Sequence, residues 1–153
     1  TSMIKDGLLR ERAYDKVFIN RNEYKHISQM RYILISMMVP NTHFYLFRVD
    51  TGNEVIEVYD SLYKQKMNFY ENSRDSISEW LQKAGVQLKQ LMVIRKPCPK
   101  QQNSFDCGPL SARNAEYLYQ HSIPDYEPNN KETWRYRLYM GAAIRGIEEF
   151  TKV

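Results

Sequence analysis

Hydrophobic and polar positions follow two different periods along the chain, and each change of period predicts where strands give way to helices. Apolar runs rich in β-branched and aromatic residues, closed by Pro, Gly or Asn, predict strands. Apolar residues three and four positions apart predict helices. The predicted strands span 16–19, 31–39, 43–50, 54–59 and a short stretch within 87–95, and the predicted helices span 4–14, 72–84, 107–121 and 133–150.

The clearest pair of strands is a hairpin that turns tightly at Thr51-Gly52-Asn53. His43 stands at the start of its first strand, and Asp60 lies just after the end of its second. A hairpin centred near Gly52 places these two residues close to opposite each other. Because side chains at strand ends reach open space, His43 and Asp60 are candidate catalytic residues.

The order of elements predicts an α+β fold, with a small central mixed sheet flanked by helices. Trp80 and Trp134 occupy apolar positions of predicted helices, and we expect both in the core. A chain of 153 residues suits one domain, and we predict a single catalytic domain over 1–153. The opening 1–3 has the composition of a cloning remnant, so the native protein is expected to be longer.

Composition excludes several classes of function. The net charge of +4 is spread over scattered Lys and Arg residues, which argues against nucleic acid as the main ligand. No signal peptide or apolar run of membrane-spanning length is seen, and two cysteines do not make a disulfide scaffold, so we expect a monomer in the cytoplasm or nucleus. No Cys/His cluster has metal-binding spacing, and we predict neither a metal nor a cofactor.

Cys107 has the local setting of a reactive thiol. It stands where the loop 100–106 becomes a helix, with Asp106 as a candidate N-cap and Pro109 in the first turn. The positive end of a helix and its free N–H groups favour the thiolate. The alternative is a buried structural cysteine, which is the common role of this residue type.

A cysteine nucleophile needs a base, and the base needs an acceptor that orients it. His43 and Asp60 can supply these two roles across the hairpin. Gln101, six residues before Cys107, can donate its amide to a developing oxyanion. Taken singly, each has an ordinary alternative: a surface histidine, a turn cap and a solvated loop glutamine.

These residues together resemble the ubiquitin-like-protein protease family of papain-like clan CE, which includes SUMO proteases, deneddylases and bacterial deubiquitinases. The order His43, then Tyr59-Asp60-Ser61, then Gln101 to Gly108 is similar to the family pattern, and the last segment is closest to that of deneddylases. The resemblance implies that His43 is the base, Asp60 orients it, Cys107 attacks, and Gln101 stabilises the oxyanion.

The implied reaction is hydrolysis after the Gly-Gly C-terminus of ubiquitin or a ubiquitin-like modifier such as SUMO or the deneddylase substrate. Contacts with that substrate are predicted for Phe44, Gln102, Asn103, Asp106 and Gly108. The sequence departs from the family in three places: Phe44 stands where a Trp is usual, Pro109-Leu110-Ser111 follows Cys-Gly, and only 42 residues precede His43. The short form is more similar to divergent members, including microbial effectors.

Two other classes of function stay open at this point. Acetyltransferase effectors share the fold and the catalytic set and take their acyl group from acetyl-CoA, although their acidic member is usually Glu. A non-catalytic module that binds a modifier is the other class, which the presence of all four residues His43, Asp60, Gln101 and Cys107 disfavours.

Overall fold

A computed structural model of the chain describes residues 27–39, 43–63, 67–128 and 131–144, with side chains of the last segment described through 138. The predicted helix 4–14, the predicted strand 16–19 and His26 lie outside these residues, as does the end of the last predicted helix.

Within the described residues, four strands form one mixed sheet in sequential order, and the predicted small mixed sheet is confirmed. The first three are antiparallel neighbours, while the fourth runs parallel to the third. A parallel pair needs a crossover connection, and a helix provides it here. The strands are β1 (Tyr32–Val39), β2 (His43–Asp50), β3 (Val55–Tyr59) and β4 (Met92–Arg95), and the helices are α1 (Met67–Lys83) between β3 and β4, α2 (Cys107–Tyr119) and α3 (Lys131–Ile144).

Helices cover both faces of the sheet. On one face, inward side chains of β1, β2 and β3 pack against α1, which buries Tyr70, Ile77, Trp80 and Leu81. On the other face, Leu46 and Tyr59 pack against Leu118 of α2. Successive side chains of β2 point to opposite faces of the sheet, so this strand contributes to the packed layer on each face. The ends of the strands remain available for polar side chains.

Helix α1 begins five residues before its predicted start, so Asn72-Ser73 is helix interior and not a cap. The earlier start adds Tyr70, which is fully buried, to the helix face that meets the sheet. The predicted end is confirmed: the helix stops just before Gly85, whose φ of 84° is a left-handed value that suits glycine.

The hairpin register differs from the predicted one by two residues. Leu46 pairs with Tyr59 and Asp50 with Val55, because the turn holds four residues and its left-handed position is Glu54, with φ 57°. The Asp50 carboxylate closes this turn by accepting hydrogen bonds from the backbone N–H groups of Gly52 and Asn53. A shift of two residues leaves every side chain on its predicted face.

Trp134 is not in the core, as we had expected, but 59% exposed, and Leu138 is 57% exposed. The inward positions of α3 are Thr133 and Tyr136, which are nearly fully buried. The Thr133 hydroxyl accepts a hydrogen bond from Arg113 of α2 at 3.2 Å. Helix α3 thus docks through polar contacts, which an apolar periodicity does not reveal.

Within the described segments, no helix combines the length and apolar character needed to cross a membrane.

Replacing Ile77 with Ala should lower the free energy of unfolding by about 2–5 kcal/mol, because the side chain is fully enclosed between α1 and the sheet. Urea unfolding followed by circular dichroism measures the change. The matched control is Glu71→Ala on an exposed position of the same helix, which should stay within about 0.5 kcal/mol of the parent. Equal effects of the two substitutions would contradict this packing.

Candidate active site

Cys107 is the first residue of α2, where the predicted loop-to-helix junction is confirmed. Cys107 is only 7% exposed, so little of the residue is open to solvent. Asp106 holds the N-cap position, but its side chain makes no capping hydrogen bond to the helix, so its predicted capping role is wrong. The N–H groups of the first turn are therefore not satisfied by that carboxylate.

His43 and Asp60 meet as a buried pair. Nε2 of His43 lies 2.7 Å from Oδ1 of Asp60, and the two side chains are 4% and 0% exposed. The observed register extends to place Asp60 beside Tyr45, and the His43 ring stacks on that tyrosine with ring centroids 6.2 Å apart. The contact between His43 and Asp60 is thus diagonal across the hairpin.

The pair favours a charged imidazolium and a charged carboxylate. Burial lowers the pKa of His43, but the hydrogen bond with Asp60 and the interaction with Cys107 outweigh burial and raise that pKa to about 9. Burial raises the pKa of Asp60, whereas the hydrogen bonds from His43 and Tyr70 lower it to about 2. Asp60 therefore stays ionised while His43 gains or loses its proton.

The His43 ring also interacts with the Cys107 thiol. Nδ1 is buried and outside ordinary hydrogen-bond geometry with its neighbours, yet the ring and the sulfur of Cys107 shift each other's pKa. Burial raises the pKa of Cys107, but His43 and the backbone N–H groups of Phe44 and Gly108 lower it overall. The arrangement favours a thiolate beside an imidazolium, the reactive form of a cysteine.

Asp60 is held by more than the histidine. The Tyr70 hydroxyl donates to Oδ2 of Asp60, and the backbone N–H groups of Leu62 and Tyr63 donate to Oδ1 at 2.8 and 3.2 Å. The contact of Tyr70 with Asp60 was not predicted, since Tyr70 lies before the predicted start of α1. The one available signal was that this tyrosine lies seven positions, or two helical turns, before Ile77, the first apolar residue of the predicted helix.

Gln101 lies on the loop that leads to Cys107 and is 9% exposed. Its Oε1 accepts a hydrogen bond from the Ser61 hydroxyl at 2.6 Å, and its Nε2 donates to the carbonyl of Asn103 at 2.6 Å. No described residue accepts from the second N–H of this amide. That N–H and the backbone N–H of Cys107 are the candidate donors to an oxyanion.

The predicted substrate contacts have mixed settings. Phe44 is half-buried beside His43, Gln102 is exposed, and Gly108 is buried in the first turn of α2. Asn103 and Asp106 bind each other at 2.7 Å, so their side chains already have partners within the protein. Contact of these residues with a substrate stays a prediction.

Alkylation of Cys107 by iodoacetamide should follow a pH midpoint below the roughly 8.5 of an ordinary cysteine, because the imidazolium stabilises the thiolate. In His43→Ala the midpoint should rise, which lowers the thiolate fraction and slows alkylation at pH 7, by up to about tenfold for each unit by which the midpoint exceeds 7. The control is His121→Asn, since His121 is exposed and its φ of 59° suits Asn. A midpoint unchanged by the loss of His43 would contradict the assignment.

Replacing Tyr70 with Phe should lower the free energy of unfolding at pH 7 by about 1.5–3 kcal/mol, the range of a hydrogen bond to a charged group. The pKa of Asp60 is depressed in the folded protein, so this contribution is complete above pH 4 or so and is lost as the pH falls toward about 2. Urea unfolding at pH 7 and pH 3 measures both effects.

The control for Tyr70 is Tyr126→Phe, which removes a hydroxyl bound to the neutral amide oxygen of Asn114 at 2.6 Å. Its effect on unfolding should not depend on pH over this range. The same pH dependence in both variants would show that the Asp60 charge is not its source.

Comparison with solved structures finds proteins of the same fold. The C-terminal Ulp1 protease domain in complex with Smt3, the yeast ortholog of SUMO, matches with a TM-score of 0.67 and 19% identity over 94% of this chain and 62% of that chain. SUMO protease Ulp1 with its catalytic cysteine oxidised to a sulfonic acid matches with a TM-score of 0.70 and 21% identity, over 94% of this chain and 66% of that one. The Ulp1-like SUMO protease catalytic domain of Chaetomium thermophilum gives 0.64 and 19%, over 90% and 56%.

This chain therefore spans less than two thirds of the length of these solved chains. No curated protein matches it. A sequence model described as "Ulp1 protease family, C-terminal catalytic domain" matches residues 3–144, which is nearly the whole chain. That match confirms the resemblance seen in the catalytic motif: the chain belongs to the Ulp1 protease family of clan CE cysteine peptidases.

Proposed function

We propose that this chain is a thiol protease that hydrolyses the bond after the Gly-Gly C-terminus of a ubiquitin-like modifier, with SUMO as the first candidate. The observation that carries the proposal is the buried pair of His43 and Asp60 facing the thiol at the start of α2. Family membership and the SUMO protease structures of the same fold support it.

The enclosure of the sulfur favours a slender substrate. Cys107 is 7% exposed, and the half-buried Phe44 follows the histidine directly. A chain end without side chains needs little room to approach a buried thiol, whereas bulky residues need more. A diglycine terminus meets this requirement.

The first chemical step forms a thioester. The Cys107 thiolate attacks the carbonyl carbon of the last glycine, and the carbonyl oxygen becomes an anion. The amide of Gln101 and the N–H of Cys107 stabilise that charge by hydrogen bonds. Protonated His43 then gives its proton to the leaving amine, the carbon–nitrogen bond breaks, and the amine departs.

The second step releases the modifier. His43, now neutral, takes a proton from water, whose oxygen attacks the thioester carbon. The carbon–sulfur bond breaks, the modifier leaves with a free carboxylate, and the thiolate and imidazolium are restored. Asp60 stays ionised through both steps, because its pKa is held at about 2.

Incubation with modifiers that carry a C-terminal electrophile tests the proposal, using ubiquitin, SUMO and the deneddylase substrate in parallel. We expect a covalent adduct with at least one modifier, lost in Cys107→Ala. The matched control is Cys98→Ala, because burial raises the pKa of Cys98 to about 11 and that thiol should not react. The adduct should persist in this control.

Failure to form an adduct with every modifier, or an adduct that survives Cys107→Ala, would overturn the proposal. Transfer of label from acetyl-CoA to Cys107 would instead identify an acyltransferase. Binding of a modifier without any adduct would identify a non-catalytic module.

A further inference from the structure

Arg137 of α3 forms an ion pair with Asp106, the residue that precedes Cys107 in the chain. Its Nε donates to Oδ1 of Asp106 at 2.5 Å, and its Nη2 donates to Oδ2 of the same carboxylate. Asp106 is only 1% exposed, and Arg137 has 21% of its side chain exposed. A two-point contact between planar groups fixes both distance and orientation, as a single ion pair does not.

Hydrogen bonds continue this contact along the loop 101–106, which leads to Cys107. Oδ2 of Asp106 also accepts from Nδ2 of Asn103 at 2.7 Å, while Oδ1 of Asn103 accepts from the N–H groups of Asp106 and Phe105 at 2.9 and 3.1 Å. The carbonyl of Asn103 in turn accepts from the amide of Gln101. The guanidinium is therefore connected through two residues to the candidate oxyanion donor.

The other end of this series of hydrogen bonds is held by Ser61, which follows Asp60 in the sequence. The hydroxyl of Ser61 donates to Gln101, and the backbone N–H of Gln101 donates to the carbonyl of Ser61 at 3.1 Å. The loop 101–106 is thus held at its start by the sheet and at its end by α3. Both oxyanion donors, on Gln101 and Cys107, lie within or directly after this doubly held segment.

Two aromatic side chains flank the guanidinium. Its carbon lies 4.3 Å from the ring centroid of Trp134 and 5.2 Å from that of Phe105. A guanidinium is attracted to the faces of aromatic rings, so both exposed residues help to hold it in place. This contact explains why Trp134 has an ordered place outside the core.

The ion pair between Asp106 and Arg137 affects the geometry around the Cys107 thiol more than the charge near it. Asp106 and Arg137 neutralise each other, and the pKa of Asp106 is lowered by Arg137 and Asn103 against the effect of burial. The lowered pKa of Cys107 comes chiefly from His43 and from the backbone N–H groups of Phe44 and Gly108. Loss of the arginine should therefore displace the loop without removing the thiolate.

We propose that Arg137 is a positioning residue that holds the loop 101–106, through Asp106 and Asn103, so that the Gln101 amide and the Cys107 N–H converge on the oxyanion. This inference rests on the proposed function, because it concerns the same reaction. It adds to the site a further side chain that touches no reacting atom.

The test compares Arg137→Met with the parent in hydrolysis of a modifier carrying a C-terminal fluorophore. We expect kcat to fall about 10- to 100-fold, in line with the loss of part of an oxyanion hole, and KM to stay within about twofold. Alkylation of Cys107 by iodoacetamide forms no oxyanion, so its rate should also stay within about twofold. Arg137→Lys, which keeps the charge without the two-point contact, should recover part of kcat.

The control is Arg135→Met on the same helix, because Arg135 is half exposed and contacts Glu116 at 3.7 Å, away from the loop. This control should keep the parent kcat. If Arg137→Met does not fold, Arg137→Lys takes its place, and its kcat, KM and rate of alkylation are compared with those of the parent in the same way. A kcat within twofold of the parent, or equal losses in kcat and alkylation, would overturn the inference.

Failure of the proposed function has a separate signature, since the parent would then hydrolyse no modifier. Amide hydrogen exchange over 101–107 still decides the positioning role in that case. Faster exchange in Arg137→Met than in Arg135→Met would support the inference, and equal exchange in the two variants would refute it.

Discussion

The buried carboxylate of Asp60 is the constraint around which the site is built. An ionised group with no exposure to water is stable only when its oxygens are fully supplied with donors. His43, Tyr70 and the N–H groups of Leu62 and Tyr63 supply them. These donors come from β2, α1 and the segment after β3, so packing of α1 on the sheet and formation of the site depend on one another.

The proposed nucleophile, Cys107, is brought to this pair by a second set of contacts. Cys107 belongs to α2, which packs on the face of the sheet opposite to α1. The loop that precedes it is joined to the sheet where Ser61 binds Gln101. Because Ser61 follows Asp60 directly, the same strand end holds both the proposed base, His43, and the candidate oxyanion donor, Gln101, and movement of one would displace the other.

Much of the site could be predicted from the sequence because its members lie at element boundaries. His43 opens a strand, Asp60 follows one, and Cys107 opens a helix, and such boundaries are marked by turn residues and changes of period. The hairpin register was wrong by two residues because the turn type was not evident. The error did not matter for the pairing of His43 with Asp60, since an even shift preserves the face of the sheet.

The sequence by itself determined the mixed sheet, the helix starting at Cys107 and the family, because periodicity and a motif of fixed spacing are local properties. Tertiary structure alone decided that Tyr70 supports Asp60 and that Arg137 binds Asp106, since each pair joins elements whose relative placement no local pattern encodes. It also decided that Trp134 stays outside the core. The polar contacts of Thr133 and Arg137 set the rotation of α3, and apolar spacing carries no information about them.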